Sequence, residues 1–503
     1  MTSASQPGRS LAARVARGTG LMVLLRLSDR AIGLVSLAVL TRLLAPSDFG
    51  AVAIATAVLA MVEAFGQFGL DLALIRGQNR DRSAYDSAWT INLGIGLIVA
   101  AILAGLAIPA PAFFDDARLA PIFLWLALSV AIGGFENIGI VAFRKELAFD
   151  REFRFLLSGR VLGTAVAVAG AVVWGDYRAL VVGVVARRVA SVALSYAMHP
   201  FRPRLSLAGL GSLMQFSAWV MVQTILATIN HRLPALLIGR WIGTSQVAFF
   251  TVAYEVATLA TSEIMAPIRR VLYPAYAQIE ADRQRFAVVI VDTLGVMALI
   301  GLPVAAGLAL IATDVVHVMF GAQWLEAVPL VRILAIAGGI QCLGTSSHLV
   351  YLVLGIPRFT ALLELVRFAC YVPLVVLGLV SDGVVGAAWG FAAASAIVRV
   401  VDYALVMRVV RLRAIRIAAA LLRPLAATAL MILAVLLVQA ELPSDAGVVW
   451  SLTRMVVSAA AGATVYIATV VALWLASGRP ASAEERIVAL LREWRGATGR
   501  RKR

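Results

Sequence analysis

Three charged side chains in an apolar stretch near the N-terminus could bind an anion inside a membrane. Arg26, Asp29 and Arg30 interrupt the apolar run at 18–41. Arg26 and Arg30 are four residues apart and share one face of a helix, where Asp29 can neutralise only one of them directly. A guanidinium stays charged when it loses water and can donate two parallel hydrogen bonds to a phosphate. The spacing predicts a cationic surface for a phosphorylated substrate.

A buried charge at the centre of a bilayer costs at least about 2.5–3.5 kcal/mol, so each of these arginines needs a partner or a wet cavity. Glu63 lies in the next apolar run and would approach the second arginine, Arg30, if the two helices formed an antiparallel hairpin. Two interpretations follow. Arg26 and Arg30 line a substrate cavity, or a closed ion-pair network only joins the two helices.

Further charged residues lie in the apolar runs that follow. Arg232 lies toward the end of its run, where it could contact a ligand or extend its charge to the membrane surface. Glu255 could balance Arg232 or bind a proton. Arg160, Arg187 and Arg188 have few acidic residues near them in sequence, so one or two of them are candidates for the same cavity.

The second half of the chain has a different charge pattern. Glu364 and Arg367 are three residues apart, as are Arg399 and Asp402. Residues at this spacing are neighbours on a helix and can neutralise each other. We expect these pairs to be structural, which leaves the uncompensated positive charge in the first half.

Residue patterns for covalent catalysis are absent from the sequence. The lysines, Lys145 and Lys502, do not stand in a phosphate-binding GxxxxGK[ST] motif, and no GxSxG motif occurs. The histidines have no metal-ligand spacing; they are His199, His231, His317 and His348. We therefore expect no catalytic residue, no metal and no cofactor. The expected activity is transport, not an enzymatic reaction.

The composition predicts an all-α membrane protein. Of 503 residues, 61% are hydrophobic and 14% charged, and the mean hydropathy is +0.91. A spanning helix takes roughly 20 apolar residues, and strand-like alternation is absent. The apolar runs predict about fourteen transmembrane helices, at 18–41, 47–70, 84–108, 119–142, 155–174, 178–198, 212–239, 243–265, 286–311, 327–353, 359–380, 384–407, 421–440 and 448–476.

The net charge of +16 could indicate a nucleic-acid partner in a soluble protein. Here the basic residues concentrate in alternate connectors and in the C-terminal tail, as the positive-inside rule describes. The distribution therefore predicts a multi-pass membrane protein that has both termini in the cytoplasm, is surrounded by membrane lipids and has no nucleic-acid partner.

A weak internal repeat predicts the domain organisation. The turn that contains Arg42 resembles the turn that contains Arg240, six spans later, as in a parallel repeat. We expect two pseudo-symmetric six-helix lobes, two appended helices and an amphipathic, basic cytoplasmic tail. Their bounds are 1–198, 199–410, 411–477 and 478–503.

Three segments resemble Wzx-type polysaccharide flippases. The turn Leu40-Thr41-Arg42-Leu43-Leu44-Ala45-Pro46-Ser47-Asp48-Phe49-Gly50, the end of the second span from Phe65 to Arg76, and the segment from Arg270 to Tyr276 are similar to segments of that family. The family belongs to the multidrug/oligosaccharidyl-lipid/polysaccharide exporter superfamily, with the lipid II flippases and the MATE exporters. The resemblance implies two lobes that work by alternating access. In lipid II flippases, arginines of the first helix line the central cavity, and Arg26 and Arg30 are the nearest equivalents in this sequence.

The resemblance also implies the cargo. It is an undecaprenyl-diphosphate-linked oligosaccharide repeat unit, moved from the cytoplasmic to the periplasmic leaflet for exopolysaccharide, capsule or O-antigen assembly. A polysaccharide polymerase and a chain-length regulator are candidate partners. One alternative is a MATE-like cation-coupled exporter of small molecules, which predicts an acidic cleft. The other is a non-transporting membrane scaffold of a glycan synthase complex, which would tolerate the loss of the cleft charges.

Overall fold

The computed structural model describes residues 7–66, 74, 82–208, 218–344, 346–356, 358–443, 447–478 and 485. Within these ranges the regular structure is helical and contains no strand, which confirms the predicted all-α fold. The predicted basic tail lies outside the described ranges, apart from Gly478 and Glu485. The helices are α1 (Pro7–Leu43), α2 (Pro46–Phe65), α3 (Arg82–Leu106), α4 (Ala110–Phe114), α5 (Leu119–Gly134), α6 (Val141–Lys145), α7 (Phe149–Trp174), α8 (Arg178–Met198), α9 (Ala218–Trp241), α10 (Thr244–Ile279), α11 (Arg283–Leu310), α12 (Ala312–Phe320), α13 (Val328–Cys342), α14 (Ser347–Val353), α15 (Arg358–Val410), α16 (Ala414–Ala440) and α17 (Gly447–Ala476).

The chain is a multi-span membrane protein. In the part of the chain that is described, nine helical segments are long and apolar enough to cross a bilayer, or ten if the bent pair Leu119–Gly134 and Ile138–Lys145 is one span. The 53-residue α15 breaks at Asp382 and Gly383, where the sequence predicts a turn between two spans. The predicted number of fourteen spans stays a prediction.

Three long helices are not among the candidate membrane spans found in the described part of the chain, and each contains candidate site residues. These helices are α1, α9 and α10. The apolar sequence of α1 contains the charged residues Arg26, Asp29 and Arg30. That of α9 contains Arg232, and that of α10 contains Glu255.

Two predicted spans are interrupted. The span at 119–142 ends as a helix at Gly134, and the next helical segment is bent by 65° from it. Asn137 is fully buried at this break; its Oδ1 accepts from the amide of Gly139, and its Nδ2 donates to the carbonyl of Phe201 at 2.7 Å. The span at 327–353 is broken between α13 and α14. Side-chain hydrogen bonds replace those that the helix loses at a break.

The chain divides into two compact units, Met1–Ala248 and Phe249–Arg503. In the first unit α1 packs along α7, α7 along α8, and α2 along α9. In the second unit α16 and α17 pack on each other, and α16 packs along α11. The predicted division into lobes at residue 198 stays a prediction.

Close helix packing in the first unit positions the candidate arginines of α7 and α8. A Cβ placed on Gly163 of α7 would lie 2.6 Å from the Cβ of Arg187 on α8 and 3.0 Å from the carbonyl oxygen of Gly183. Small residues at such contacts let helix backbones approach closely in a membrane. The α7–α8 pair therefore fixes the direction in which Arg187 leaves its helix.

Arg118 joins three elements at one end of the first unit. Its guanidinium binds Asp48 in the first turn of α2 at 2.9 Å and Asp116 at 2.8 Å, and it donates to Thr244 Oγ1 at the start of α10 at 3.3 Å. Gly50 of α2 lies directly against the backbone of Thr244, where a Cβ would collide. Asp48 and Gly50 of the family-like turn therefore have structural contacts in this unit.

Alanine at Gly378 should destabilise the second unit. A Cβ on Gly378 would collide with the backbone of Gly386 across the break in α15, and overpacking of this kind costs about 1–3 kcal/mol. Gly94→Ala is the matched control, because Gly94 lies within α3 and a Cβ there meets nothing within 4 Å. Thermal unfolding in detergent should show a lower midpoint for Gly378→Ala than for the wild type, and an unchanged midpoint for Gly94→Ala. Equal midpoints would contradict the close contact.

The Arg118 contacts should make stability depend on pH in the acid range. Burial alone would raise the pKa of Asp116, but the hydrogen bonds and charge of Arg118 hold that pKa below its usual value. The stabilisation is therefore complete above about pH 4, the unfolded value, and is lost as the pH falls through the lower folded value. The difference in unfolding midpoint between wild type and Asp116→Asn should shrink from pH 6 to pH 3. A constant difference would contradict the assignment.

Candidate functional site

A cavity of about 260 Å³ in the first unit brings together charges from three helices. Arg26 and Asp29 of α1, Arg160 of α7 and Arg187 of α8 line it, together with apolar side chains. We call this the arginine cavity. Three guanidinium groups face one carboxylate, so its charged residues are net positive. Arg187 is the tenth residue of the 21-residue α8, which places it near the middle of a membrane-spanning helix.

The aspartate of the arginine cavity is paired across helices. Asp29 Oδ1 lies 3.3 Å from Arg160 Nε, and the two side chains are 53% and 30% exposed. The pair forms because α1 packs along α7. Sequence spacing placed Asp29 beside Arg26 and Arg30, and it could not identify this partner.

A second cavity of about 410 Å³ lies beside the first, and Leu156 of α7 lines both. We call it the glutamate–arginine cavity, after the charged residues that line it. These are Glu63, Glu136, Arg144, Glu152 and Arg188. Arg144 and Glu152 form an ion pair in which Glu152 is buried and Arg144 is half-exposed.

Glu63 pairs with Arg188 of α8, not with an arginine of α1 as the hairpin hypothesis suggested. Its Oε1 accepts a hydrogen bond from Arg188 Nη2 at 3.3 Å. The reason is the helix arrangement, since α2 packs along α9 and α1 along α7. Arg187 and Arg188 are consecutive on α8, and their side chains enter different cavities.

The remaining candidates lie elsewhere in the described chain. Arg30 is half-buried on α1, and Arg232 is half-buried on α9. Glu255 is exposed on α10 and belongs to the second unit. None of the three is among the residues that line the two cavities. Their roles, and the pairing of Arg232 with Glu255, stay predictions.

The cavity residues that the sequence interpretation ranked too low are Arg160, Arg187 and Arg188. A signal for them existed, because they are arginines in the middle of apolar runs with few acidic neighbours. Glu136 had a signal too, because it is a carboxylate within a predicted span that could offset one of these arginines. The sequence contained no comparable signal for Arg144 and Glu152. Glu136 lies at the break after α5, Arg144 in α6 and Glu152 in the first turn of α7, and only the 65° bend folds them onto one cavity.

Two ion pairs of the second unit are closer and better buried than the Asp29–Arg160 and Glu63–Arg188 pairs. The predicted pairs are confirmed, with Arg367 Nη1 at 2.9 Å from Glu364 and Arg399 in contact with Asp402. Asp402 is 3% exposed and also accepts a hydrogen bond from the Tyr351 hydroxyl at 2.9 Å. Within the described residues, no group of three or more His, Cys, Asp or Glu is arranged to hold a metal ion.

Comparison with known proteins places the chain among proteins of polysaccharide synthesis. Residues 39–329 match the family described as polysaccharide biosynthesis protein. The lipopolysaccharide biosynthesis protein WzxC of Escherichia coli K12 is 23% identical over 74% of this chain and 76% of its own length. The succinoglycan biosynthesis transport protein ExoT of Rhizobium meliloti 1021 is 26% identical over 65% of this chain and 66% of its own.

The fold is similar to that of two solved transporters. The lipid II flippase MurJ, in an inward closed conformation, gives a TM-score of 0.72 at 12% identity, over 91% of this chain and all of its own. An inward-facing multidrug resistance MATE transporter gives 0.61 at 15% identity, over 78% of this chain and 95% of its own. These similarities confirm the predicted fold class.

The two kinds of ion pair should differ in their contribution to stability. Asp402→Asn leaves the buried Arg399 without its charge partner, which should cost about 3 kcal/mol. Asp29→Asn makes the same chemical change in a pair whose side chains are 53% and 30% exposed, and should cost less than about 1 kcal/mol. Thermal unfolding of both variants in detergent tests this. Equal losses would show that the Asp29–Arg160 pair is as structural as the Asp402 pair.

Proposed function

The chain belongs to the polysaccharide biosynthesis protein family, and from this premise we propose that it is a flippase for a lipid-linked oligosaccharide. The cargo is an undecaprenyl-diphosphate-linked repeat unit, moved from the cytoplasmic to the periplasmic leaflet of the bacterial inner membrane. Both termini of the protein lie in the cytoplasm. The two predicted lobes, 1–198 and 199–410, alternate the access of the cargo between the leaflets.

The observation that carries the proposal is the arginine cavity. A diphosphate that crosses roughly 30 Å of hydrocarbon needs charge compensation along the way. Arg26, Arg160 and Arg187 supply it from three different helices, and among the described residues Asp29 is the carboxylate that lines this cavity with them. Guanidinium groups suit this task because they remain charged in a dry environment and match phosphate oxygens with a planar fork of donors.

The relatives support the same class of cargo. One of them has a name that describes a transport protein of succinoglycan synthesis, and a protein with a similar fold is a lipid II flippase. The cargo of such a transporter is a membrane lipid with a glycan headgroup, so the flipped product must be consumed at the outer leaflet. A polysaccharide polymerase and a chain-length regulator are the partners that this step requires.

The second candidate, a MATE-like cation-coupled exporter, predicts an acidic binding surface. The glutamate–arginine cavity has three glutamates and favours this alternative at first sight. However, Glu63 is paired with Arg188 and Glu152 with Arg144. Because two of the three carboxylates are neutralised by arginines, this cavity is a weak site for a free cation, and the flippase is the better explanation.

Removal of two arginines from the arginine cavity should abolish polymer export. In the Arg26→Ala/Arg187→Ala variant one guanidinium group remains against Asp29, so the cavity loses its net positive charge. We expect surface polysaccharide to fall at least about tenfold, with lipid-linked repeat units accumulating in the cells and protein abundance unchanged on an immunoblot.

Arg178→Ala is the control for this variant, because Arg178 is exposed and pairs with Asp176 outside the cavity. It should export polymer at the wild-type level. Normal export by the double variant at normal abundance would contradict the flippase site and would favour the scaffold alternative.

A further inference from the structure

Two ion pairs of the described chain differ in contact geometry and in exposure. Arg454 contacts both oxygens of Asp314 at 3.0 Å, and the two side chains are 15% and 2% exposed. The Glu63–Arg188 pair is joined by a single contact of 3.3 Å, and its side chains are 33% and 39% exposed. The first geometry suits a permanent structural link. The second leaves both groups accessible from the cavity that they line.

Arg188 is held in place by packing as well as by its charge. Its side chain crosses the face of α5 at Gly133, where an added Cβ would lie 3.0 Å from Nε and 3.2 Å from Cζ. The glycine therefore provides the surface on which the guanidinium lies. Within the described chain, Arg188 donates one hydrogen bond, to Glu63, although a guanidinium has five N–H donors.

The two cavities adjoin at α7 and α8. Leu156 lines both of them, and Arg187 in one is followed directly in sequence by Arg188 in the other. A phosphorylated group at Arg187 thus has a further arginine at the next position of α8, and the guanidinium of that arginine is occupied by a carboxylate. Carboxylate and phosphate use the same planar fork of arginine donors.

We propose that Glu63 is a displaceable counter-ion that occupies, on Arg188, the position of a phosphate of the cargo. This rests on the flippase function proposed above. In the empty protein Glu63 compensates a guanidinium that would otherwise be costly within the membrane. When the lipid-linked diphosphate enters, its phosphate exchanges with the carboxylate on Arg188. When the cargo leaves, Glu63 returns.

The proposed exchange predicts in which direction the loss of Glu63 changes the affinity for a lipid diphosphate. Because Glu63 competes with the phosphate for Arg188, it weakens binding and accelerates release. Its removal should therefore tighten binding of a lipid diphosphate and slow its dissociation. A purely structural ion pair predicts the opposite, because the loss of Glu63 would loosen α2 and α8 and weaken the site.

The test measures binding to the full-length protein in phosphatidylcholine nanodiscs. The probes are undecaprenyl diphosphate, undecaprenol and inorganic diphosphate, which separate the lipid-linked headgroup from the tail and from free diphosphate. The variants are Glu63→Gln, Arg188→Ala and their combination. Glu441→Gln is the charge-matched control, because Glu441 is an exposed carboxylate at the C-terminal end of α16.

Glu63→Gln should bind undecaprenyl diphosphate about five- to tenfold more tightly, mainly through slower dissociation. Arg188→Ala should bind it more weakly, and the double variant should bind as Arg188→Ala does, because the competitor acts only through Arg188. Glu441→Gln should bind as wild type, and undecaprenol should bind equally to all variants. Glu63→Asp, which keeps the charge on a shorter side chain, should give a smaller gain and serves if Glu63→Gln is poorly folded.

Two results would overturn the exchange. One is unchanged or weaker binding of undecaprenyl diphosphate by folded Glu63→Gln and Glu63→Asp. The other is the same gain from Glu63→Gln with and without Arg188, which would indicate a general charge effect. A different result would overturn the proposed function itself: wild type that binds undecaprenyl diphosphate no more tightly than undecaprenol. Tight binding of inorganic diphosphate alone would also contradict a lipid-linked cargo.

Discussion

The structure depends on the need to compensate guanidinium groups that lie within membrane-spanning helices. An isolated charge in hydrocarbon is costly, so each such arginine must have a carboxylate, a polar cavity or a ligand. Arg160 and Arg188 have carboxylate partners on other helices, Asp29 and Glu63. These pairs join α1 to α7 and α2 to α8, and further arginines lie beside them at the cavities.

The same physical requirement is met in two ways along the chain. In the second unit Asp402 is almost fully buried, contacts Arg399 and receives the Tyr351 hydroxyl, so its charge is satisfied from several directions. In the first unit Asp29 and Glu63 contact Arg160 and Arg188 at 3.3 Å, and their side chains stay accessible. A buried pair with additional hydrogen bonds resists exchange. An accessible pair with a single contact can be replaced by another anion, as a transporter of an anionic lipid requires.

Helix packing determines where these charges point. Gly163 lets α7 and α8 approach so closely that it packs against the start of the Arg187 side chain. Gly133 leaves room on α5 for the Arg188 side chain. Small residues therefore act at the site without any chemistry of their own. The bend after Gly134, satisfied by Asn137, adds the polar residues of α6 and of the start of α7 to the same region.

Composition alone determined the all-α membrane fold, because 61% hydrophobic residues without strand-like alternation can be buried only by lipid-embedded helices. Local spacing determined the Glu364–Arg367 and Arg399–Asp402 pairs, since residues three apart on a helix are neighbours whatever the tertiary structure. The partners of Asp29 and Glu63 follow no such rule. Glu63 and Arg188 are 125 residues apart, and their contact arises only from the packing of separate helices. The tertiary structure therefore decided which arginines form the cavities and which carboxylates occupy them.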